Sequence, residues 1–259
     1  MRLHLLQTVL KSTHKTDRGI SPSRQTSVSL LLLLILVLNG CITRQELPDG
    51  PAQPANFPEQ SYLSASSDPE KFIYKIDSGL SQIVMLVYRG GVMARLGHDH
   101  VITSQNVQGY IALNRKDGLC HADIFVPLLM LIVDDPQLRA AAELNTTPSK
   151  TDITETKSNM LTSIDAVNFP FVRLSSEDCS GGLSGDIIPV VLTLHGVSKQ
   201  RDIQIDLNSI DDDQLVIDGE FSIYQTDFGI EPFSVMGGLI KVEDNVDFTY
   251  QLTAHRITP

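Results

Sequence analysis

The chain has 259 residues, which is enough for a targeting segment and one domain with a sizeable core, and 31 acidic against 20 basic side chains give it a net charge of −11. An acidic chain repels phosphate backbones, which proteins bind through clustered Lys and Arg, so nucleic acid is not an expected partner. The sequence contains no Gly-x-Ser-x-Gly, His-Glu-x-x-His or Cys-x-x-Cys motif. Their absence agrees with a binding protein that needs no cofactor, and we do not expect an enzyme.

The first 40 residues have the pattern of a bacterial export signal. Five basic residues precede an apolar stretch at positions 30–38, which is shorter than the roughly 20 residues of a membrane-spanning helix. The stretch ends in Leu-Asn-Gly-Cys and resembles the lipobox of lipoproteins. The sequence thus predicts a lipoprotein signal peptide over residues 1–40, lipidation of Cys41, and a periplasmic protein anchored to a membrane. Ile42 favours the outer membrane, and a plain secretory signal or an uncleaved anchor are the alternatives.

Two regions follow the signal. Residues 41–70 carry five prolines among polar and small residues and are interpreted as a Pro-rich tether. Residues 71–259 contain short apolar and β-branched runs between turn residues, which predict one all-β domain with antiparallel strands. Closure into a barrel is expected because it removes exposed strand edges. Between positions 136 and 163, Pro136 and a run of alanines predict a short helical insertion.

Four segments carry a family resemblance. They are LTLHGVSK at 192–199, GEFSIYQTDFGI at 219–230, VDFTYQL at 246–252 and YKID at 74–77. In this order and spacing they resemble the YceI-like family of bacterial proteins, over about residues 72–256. The resemblance implies an antiparallel lipocalin-like β-barrel of about eight strands that encloses a polyisoprenoid or a similar long amphiphile, a quinone among them.

An eight-stranded barrel has an interior that is either filled by side chains or holds one small ligand. Alternating apolar positions on three predicted strands are the candidates for contact with a ligand. They are Val84, Leu86, Tyr88, Phe221, Ile223, Phe248 and Tyr250. The alternative is that these side chains only fill the core, which is the usual role of such positions. In that case the protein would be a structural or interaction module without a small ligand.

Three histidines are further candidates. In an extended strand His98 and His100 would point to the same face, where they could fix a ligand headgroup, lie in solvent, or begin a Zn or Cu site with His121 or His195 as a third ligand. A metal-binding or redox-linked protein is therefore the alternative function. His195 precedes a glycine at the end of an apolar strand, which favours a structural role in the turn over ligand contact.

Two cysteines remain after Cys41. Cys120 and Cys179 form an even pair, which in an exported protein is typical of a disulfide. Two separately buried thiols are the alternative, since free cysteine is among the most buried residue types.

Overall fold

The structure is a computed structural model that describes residues 53–179, 187–210 and 213–258. All of these belong to one compact unit of the chain. The predicted signal peptide, the lipidation of Cys41 and the first part of the predicted tether lie outside the described residues.

The described chain forms thirteen antiparallel strand segments and three α-helices. The strands are β1 (Lys71–Ile76), β2 (Gln82–Gly90), β3 (His100–Ser104), β4 (Gln108–Asn114), β5 (Cys120–Pro127), β6 (Ile132–Val133), β7 (Phe171–Ser176), β8 (Ile187–Leu194), β9 (Val197–Gln204), β10 (Asp206–Ile210), β11 (Gln214–Tyr224), β12 (Ser234–Val235) and β13 (Ile240–Arg256). The helices are α1 (Glu59–Ala65), α2 (Pro136–Ala141) and α3 (Lys150–Ser163). The predicted all-β class with a helical insertion is confirmed.

The strand segments group into eight long strands. The strand β13 pairs with β2 and then with β1 along one edge, so β1 and β2 act as one interrupted strand. In the same way β3 pairs with β2, and β4 pairs with β1. On the next strand along, β6 pairs with β3, and β5 pairs with β4. The order continues through β7 and β8 to β9, and β11 pairs with the other edge of β13. This arrangement matches the predicted barrel of about eight strands.

The barrel seam lies between β9 and β11, where no direct ladder forms among the described residues. The chain itself crosses the seam, because β9 is separated from β10 by one residue and β10 pairs with β11. At this seam a Cβ on Gly219 would lie 2.5 Å from both the Gln204 carbonyl oxygen and the Tyr250 hydroxyl. The Tyr250 hydroxyl donates a hydrogen bond of 3.0 Å to that carbonyl. The absence of a side chain at Gly219 thus permits the two strands to approach closely.

The helices α2 and α3 form the predicted insertion between β6 and β7. Asp135 caps α2: its side chain accepts hydrogen bonds from the backbone N–H groups of Gln137 and Leu138. Pro136 occupies the first turn of the helix. Ser149 and Asp152 form a capping box at the start of α3. None of the helices in the described part of the chain has both the length and the apolar character needed to cross a bilayer.

The helix α1 lies within the stretch that the sequence predicted to be a tether. Its Tyr62 is buried, stacks on Tyr110 at 5.1 Å between ring centroids, and donates a hydrogen bond of 2.9 Å to Asp123. The structure therefore differs from the prediction at this point: residues 59–65 are folded against the outside of the barrel. Composition alone missed this because one buried aromatic residue is enough to dock a short helix.

A disulfide joins Cys120, at the start of β5, to Cys179, just after β7, with 4.7 Å between the Cα atoms. It is the first of the two alternatives that the sequence raised for this pair. The two cysteines are 59 positions apart in the sequence, and the stretch between them contains the whole helical insertion. Cross-linking a loop of this length restricts the unfolded chain and so stabilises the fold.

We expect the double substitution Cys120→Ala and Cys179→Ala to lower the free energy of unfolding by about 2–4 kcal/mol, since the loop-closure entropy of the unfolded chain is restored. Urea unfolding followed by circular dichroism measures the change. A reductant should shift the wild-type curve and leave the double variant unchanged. Equal stability of the two proteins under oxidising conditions would contradict the assignment.

Candidate functional site

The interior of the barrel is open. A cavity of about 620 Å³ lies within it and is lined mainly by the apolar side chains of the strands. This volume falls within the range of about 300–1,000 Å³ that is typical of small-molecule sites. The barrel is therefore neither filled by its own side chains nor wide enough for an aqueous pore.

Pairing across four strands determines which residues face this cavity. Ile102 on β3 lies opposite Met85 on β2, Met85 lies opposite Phe248 on β13, and Phe248 lies opposite Phe221 on β11. Directly opposed residues of antiparallel strands point to the same face, and all four line the cavity. The rings of Phe221 and Phe248 are stacked, with centroids 4.7 Å apart and an interplanar angle of 7°. They form a flat apolar wall.

Most of the predicted ligand-contacting residues lie at this cavity. Seven of them line it, namely Tyr88, His98, His100, Phe221, Ile223, Phe248 and Tyr250. Val84 and Leu86 are not among the lining residues, and the prediction that they face the lumen is wrong. Ile83, Met85 and Val87 line it instead. The segment 83–88 is apolar throughout, so its sequence has no alternation that could indicate which face is inside.

His195 does not line the cavity. It has a positive φ of 53° and is followed by Gly196 at 72°, in the two-residue turn between β8 and β9. Positive φ at both turn residues is the hairpin geometry that matches the twist of the flanking strands. The Nδ1 atom of His195 lies 3.1 Å from the Phe228 carbonyl oxygen, to which it donates. These contacts give His195 a structural role.

His100 begins β3 and is held by a buried carboxylate. Its Nδ1 atom lies 2.7 Å from Oδ2 of Asp134, whose side chain is fully buried. Because a carboxylate accepts, the proton of the neutral imidazole is on Nδ1, and Nε2 on the opposite side of the ring keeps its lone pair. His100 lines the cavity.

Asp134 is in turn paired with Arg139 of α2. The Arg139 guanidinium donates to Oδ1 of Asp134 at 2.5 Å, to the Asp99 carbonyl at 2.8 Å and to the Thr146 carbonyl at 2.7 Å. Burial would raise the pKa of the Asp134 carboxyl, but hydrogen bonds from His100, Arg139 and the Val101 N–H outweigh it and hold that pKa below its usual range. The carboxylate therefore stays ionised behind His100.

His98 differs from its neighbour in having no fixed partner. It follows the 3₁₀ turn Ala94–Leu96 and is not in a strand, yet its ring lies 6.2 Å from that of His100. Its Nδ1 atom is buried and has no hydrogen-bond partner among the described residues. An unpaired buried polar atom costs about 1–3 kcal/mol.

The helix α3 closes the histidine end of the cavity with a polar face. Asp152, Glu155, Thr156 and Asn159 line the cavity at helical spacing, and the apolar Met160 follows deeper in the barrel. The pKa of the Asp152 carboxyl is lowered by hydrogen bonds from Ser149. The site thus has an apolar body and one polar end.

The third metal ligand that the sequence proposed does not join the histidine pair. His121 is bonded to Asp123 at 3.0 Å and stacks on Tyr62 at the outer helix α1, and His195 is held in its turn. Within the three described ranges no group of three or more His, Cys, Asp or Glu side chains has a geometry suited to a metal ion.

Sequence reasoning missed the residues that support the histidines. Asp134 and Arg139 are far from His100 in the chain, and the helix pattern around Arg139 gave no sign that its side chain points inward. The spacing of Asp152, Glu155 and Asn159 was visible as one helix face, but only the fold shows that this face covers the barrel.

Together the barrel and its apolar cavity with one polar end define a small-molecule binding protein of the lipocalin-like type. The sequence model of the YceI-like domain matches residues 74–254, and the chain belongs to this family. Among curated proteins no sequence matches.

Solved structures that are similar to the chain include the following two. A polyisoprenoid-binding domain from Saccharophagus degradans, implicated in plant cell wall breakdown, is 11% identical, with a TM-score of 0.50 over 71% of this chain and 98% of that domain. BcnA from Burkholderia cenocepacia is 10% identical, with a TM-score of 0.45 over 69% of this chain and 98% of its own. The first of these likenesses supports the barrel fold.

We expect Asp134→Asn to destabilise the protein by about 3 kcal/mol, because it leaves the buried Arg139 cation without a charged partner. The carboxylate has a lowered native pKa, so its stabilisation is complete above the ordinary Asp pKa of about 4 and is lost as the pH falls through the native value. Urea unfolding at several pH values should show a steeper acid loss for wild type than for the variant. Asp117→Asn, in an exposed turn, is the matched control and should change neither quantity. Identical pH profiles for D134N and wild type would refute this role of Asp134.

Proposed function

We propose that the protein is a carrier that encloses a polyisoprenoid or a similar long amphiphile, such as a quinone, in the lumen of its barrel, and that it acts by binding and not by catalysis. The observation that carries the proposal is the 620 Å³ apolar cavity. Burial of apolar ligand surface contributes about 25 cal/mol per Å², so a long hydrocarbon gains more from such a lumen than a compact polar molecule does.

Membership of the YceI-like family supports this choice, as does the polyisoprenoid binding named for the Saccharophagus degradans domain. The stacked phenylalanines offer a flat surface that fits the planar and branched units of an isoprenoid chain. The histidines and the polar face of α3 lie at one end of the lumen, where the headgroup of an amphiphile would be held.

We further propose that the chain works in the periplasm, anchored by a lipid on Cys41. The disulfide between Cys120 and Cys179 supports an oxidising compartment, and the signal pattern supports export. A carrier held near a membrane would have direct access to an isoprenoid pool.

We expect Met85→Trp to lower affinity for an isoprenoid by about tenfold or more, equivalent to about 1.4 kcal/mol, since the indole occupies lumen volume. Leu86→Trp on the same strand faces away from the cavity and is the matched control. Native mass spectrometry of protein purified without added ligand, before and after denaturation, measures retention of the cargo. Equal retention by M85W and L86W, with both proteins folded by circular dichroism, would argue against binding in the lumen.

A further inference from the structure

We propose that the polar end of the lumen selects a neutral headgroup carrying a hydroxyl, as in a prenol or a hydroquinone, which donates a hydrogen bond to Nε2 of His100, and that it discriminates against a diphosphate. The inference rests on the proposed carrier function and specifies the chemistry of its cargo.

The hydrogen-bonding state of His100 is the first support. The buried Asp134 carboxylate accepts from Nδ1 at 2.7 Å and is itself fixed by Arg139, so the imidazole cannot exchange its proton position without losing that bond. With Nδ1 donating to Asp134, Nε2 of the uncharged ring is an acceptor, and an acceptor requires a ligand that donates. A hydroxyl donates, whereas the oxygens of a fully ionised diphosphate do not.

The charges around the site are the second support. The Lys and Arg side chains among the described lining residues are Arg89 and Lys241. Arg89 is paired with Asp99 at 3.6 Å, and Lys241 with Glu243 at 3.8 Å. Both cations thus have a carboxylate neighbour, which reduces the net positive charge that they present to a diphosphate.

The helix α3 strengthens this electrostatic preference. Asp152 and Glu155 place two further carboxylates on the cavity wall at the end where the histidines lie. A multiply charged anion would be brought close to these groups and repelled by them, although both carboxylates are solvent-accessible and the repulsion is screened. A neutral hydroxyl meets no such penalty.

The test compares three probes with the same C20 chain, namely geranylgeraniol, its methyl ether and geranylgeranyl diphosphate, by titration of the full-length mature protein in detergent. Wild type should bind the alcohol about two- to tenfold more tightly than the ether, which has no donor, and the diphosphate more weakly than either. In His100→Phe the preference for the alcohol over the ether should disappear while ether binding stays unchanged. His255→Phe, at an exposed position of β13, is the matched control and should keep the preference.

A second measurement covers the case in which H100F does not fold. Long-range ¹H–¹⁵N NMR spectra of the wild-type imidazoles should show the Nδ1-protonated form of His100, and the alcohol but not the ether should shift its Nε2 resonance.

Binding of no probe would overturn the carrier function itself. Equal binding of alcohol and ether, tighter binding of the diphosphate, or parallel losses of alcohol and ether in H100F would overturn the headgroup inference and leave the carrier function standing. A hydroquinone tested beside its quinone then separates the two hydroxyl sources. A site for a quinol binds the hydroquinone more tightly than the quinone, whereas a site for a prenol binds neither.

Discussion

The register of β13 is the constraint on which the rest of the structure depends. This 17-residue strand pairs with β1 and β2 along one edge and with β11 along the other, so it fixes the inward face of three neighbours at once. A shift by one residue would turn the lumen-facing side chains of a strand to the outside of the barrel. The row from Ile102 to Phe221 shows the result, because four strands contribute one side chain each to the same wall.

The polar end of the lumen is held in place by an ion pair behind it. The carboxylate of Asp134 connects a cavity residue, His100, to the helix α2 through Arg139. Asp134 has a positive φ of 56°, a conformation that Asp tolerates better than most residues, and it also exchanges hydrogen bonds with the backbone of Val101. The insertion that covers the barrel is therefore tied to the strand that carries the histidine, and the polar end keeps its geometry.

The sequence was informative where a period was visible. Alternation on β13 placed Phe248 and Tyr250 at the lumen, and the change to a helical pattern after Pro136 located the insertion. Where six apolar residues follow one another on β2, no pattern distinguishes inside from outside, and Val84 and Leu86 were assigned to the wrong face. The hydrogen bond between His100 and Asp134 joins residues 34 positions apart, which one sequence does not reveal. The docking of α1 depends in the same way on a tertiary contact, that of Tyr62 with Asp123.

The capping helix α3 has a consequence for the kinetics of ligand exchange. None of its 14 residues is fully buried, whereas the strands beneath it hold most of the core. Elements with few buried apolar contacts open at a free energy well below that of global unfolding. Displacement of this one helix would uncover the lumen while every β-ladder stays formed, so the residence time of a cargo would be set by the helix and its affinity by the barrel.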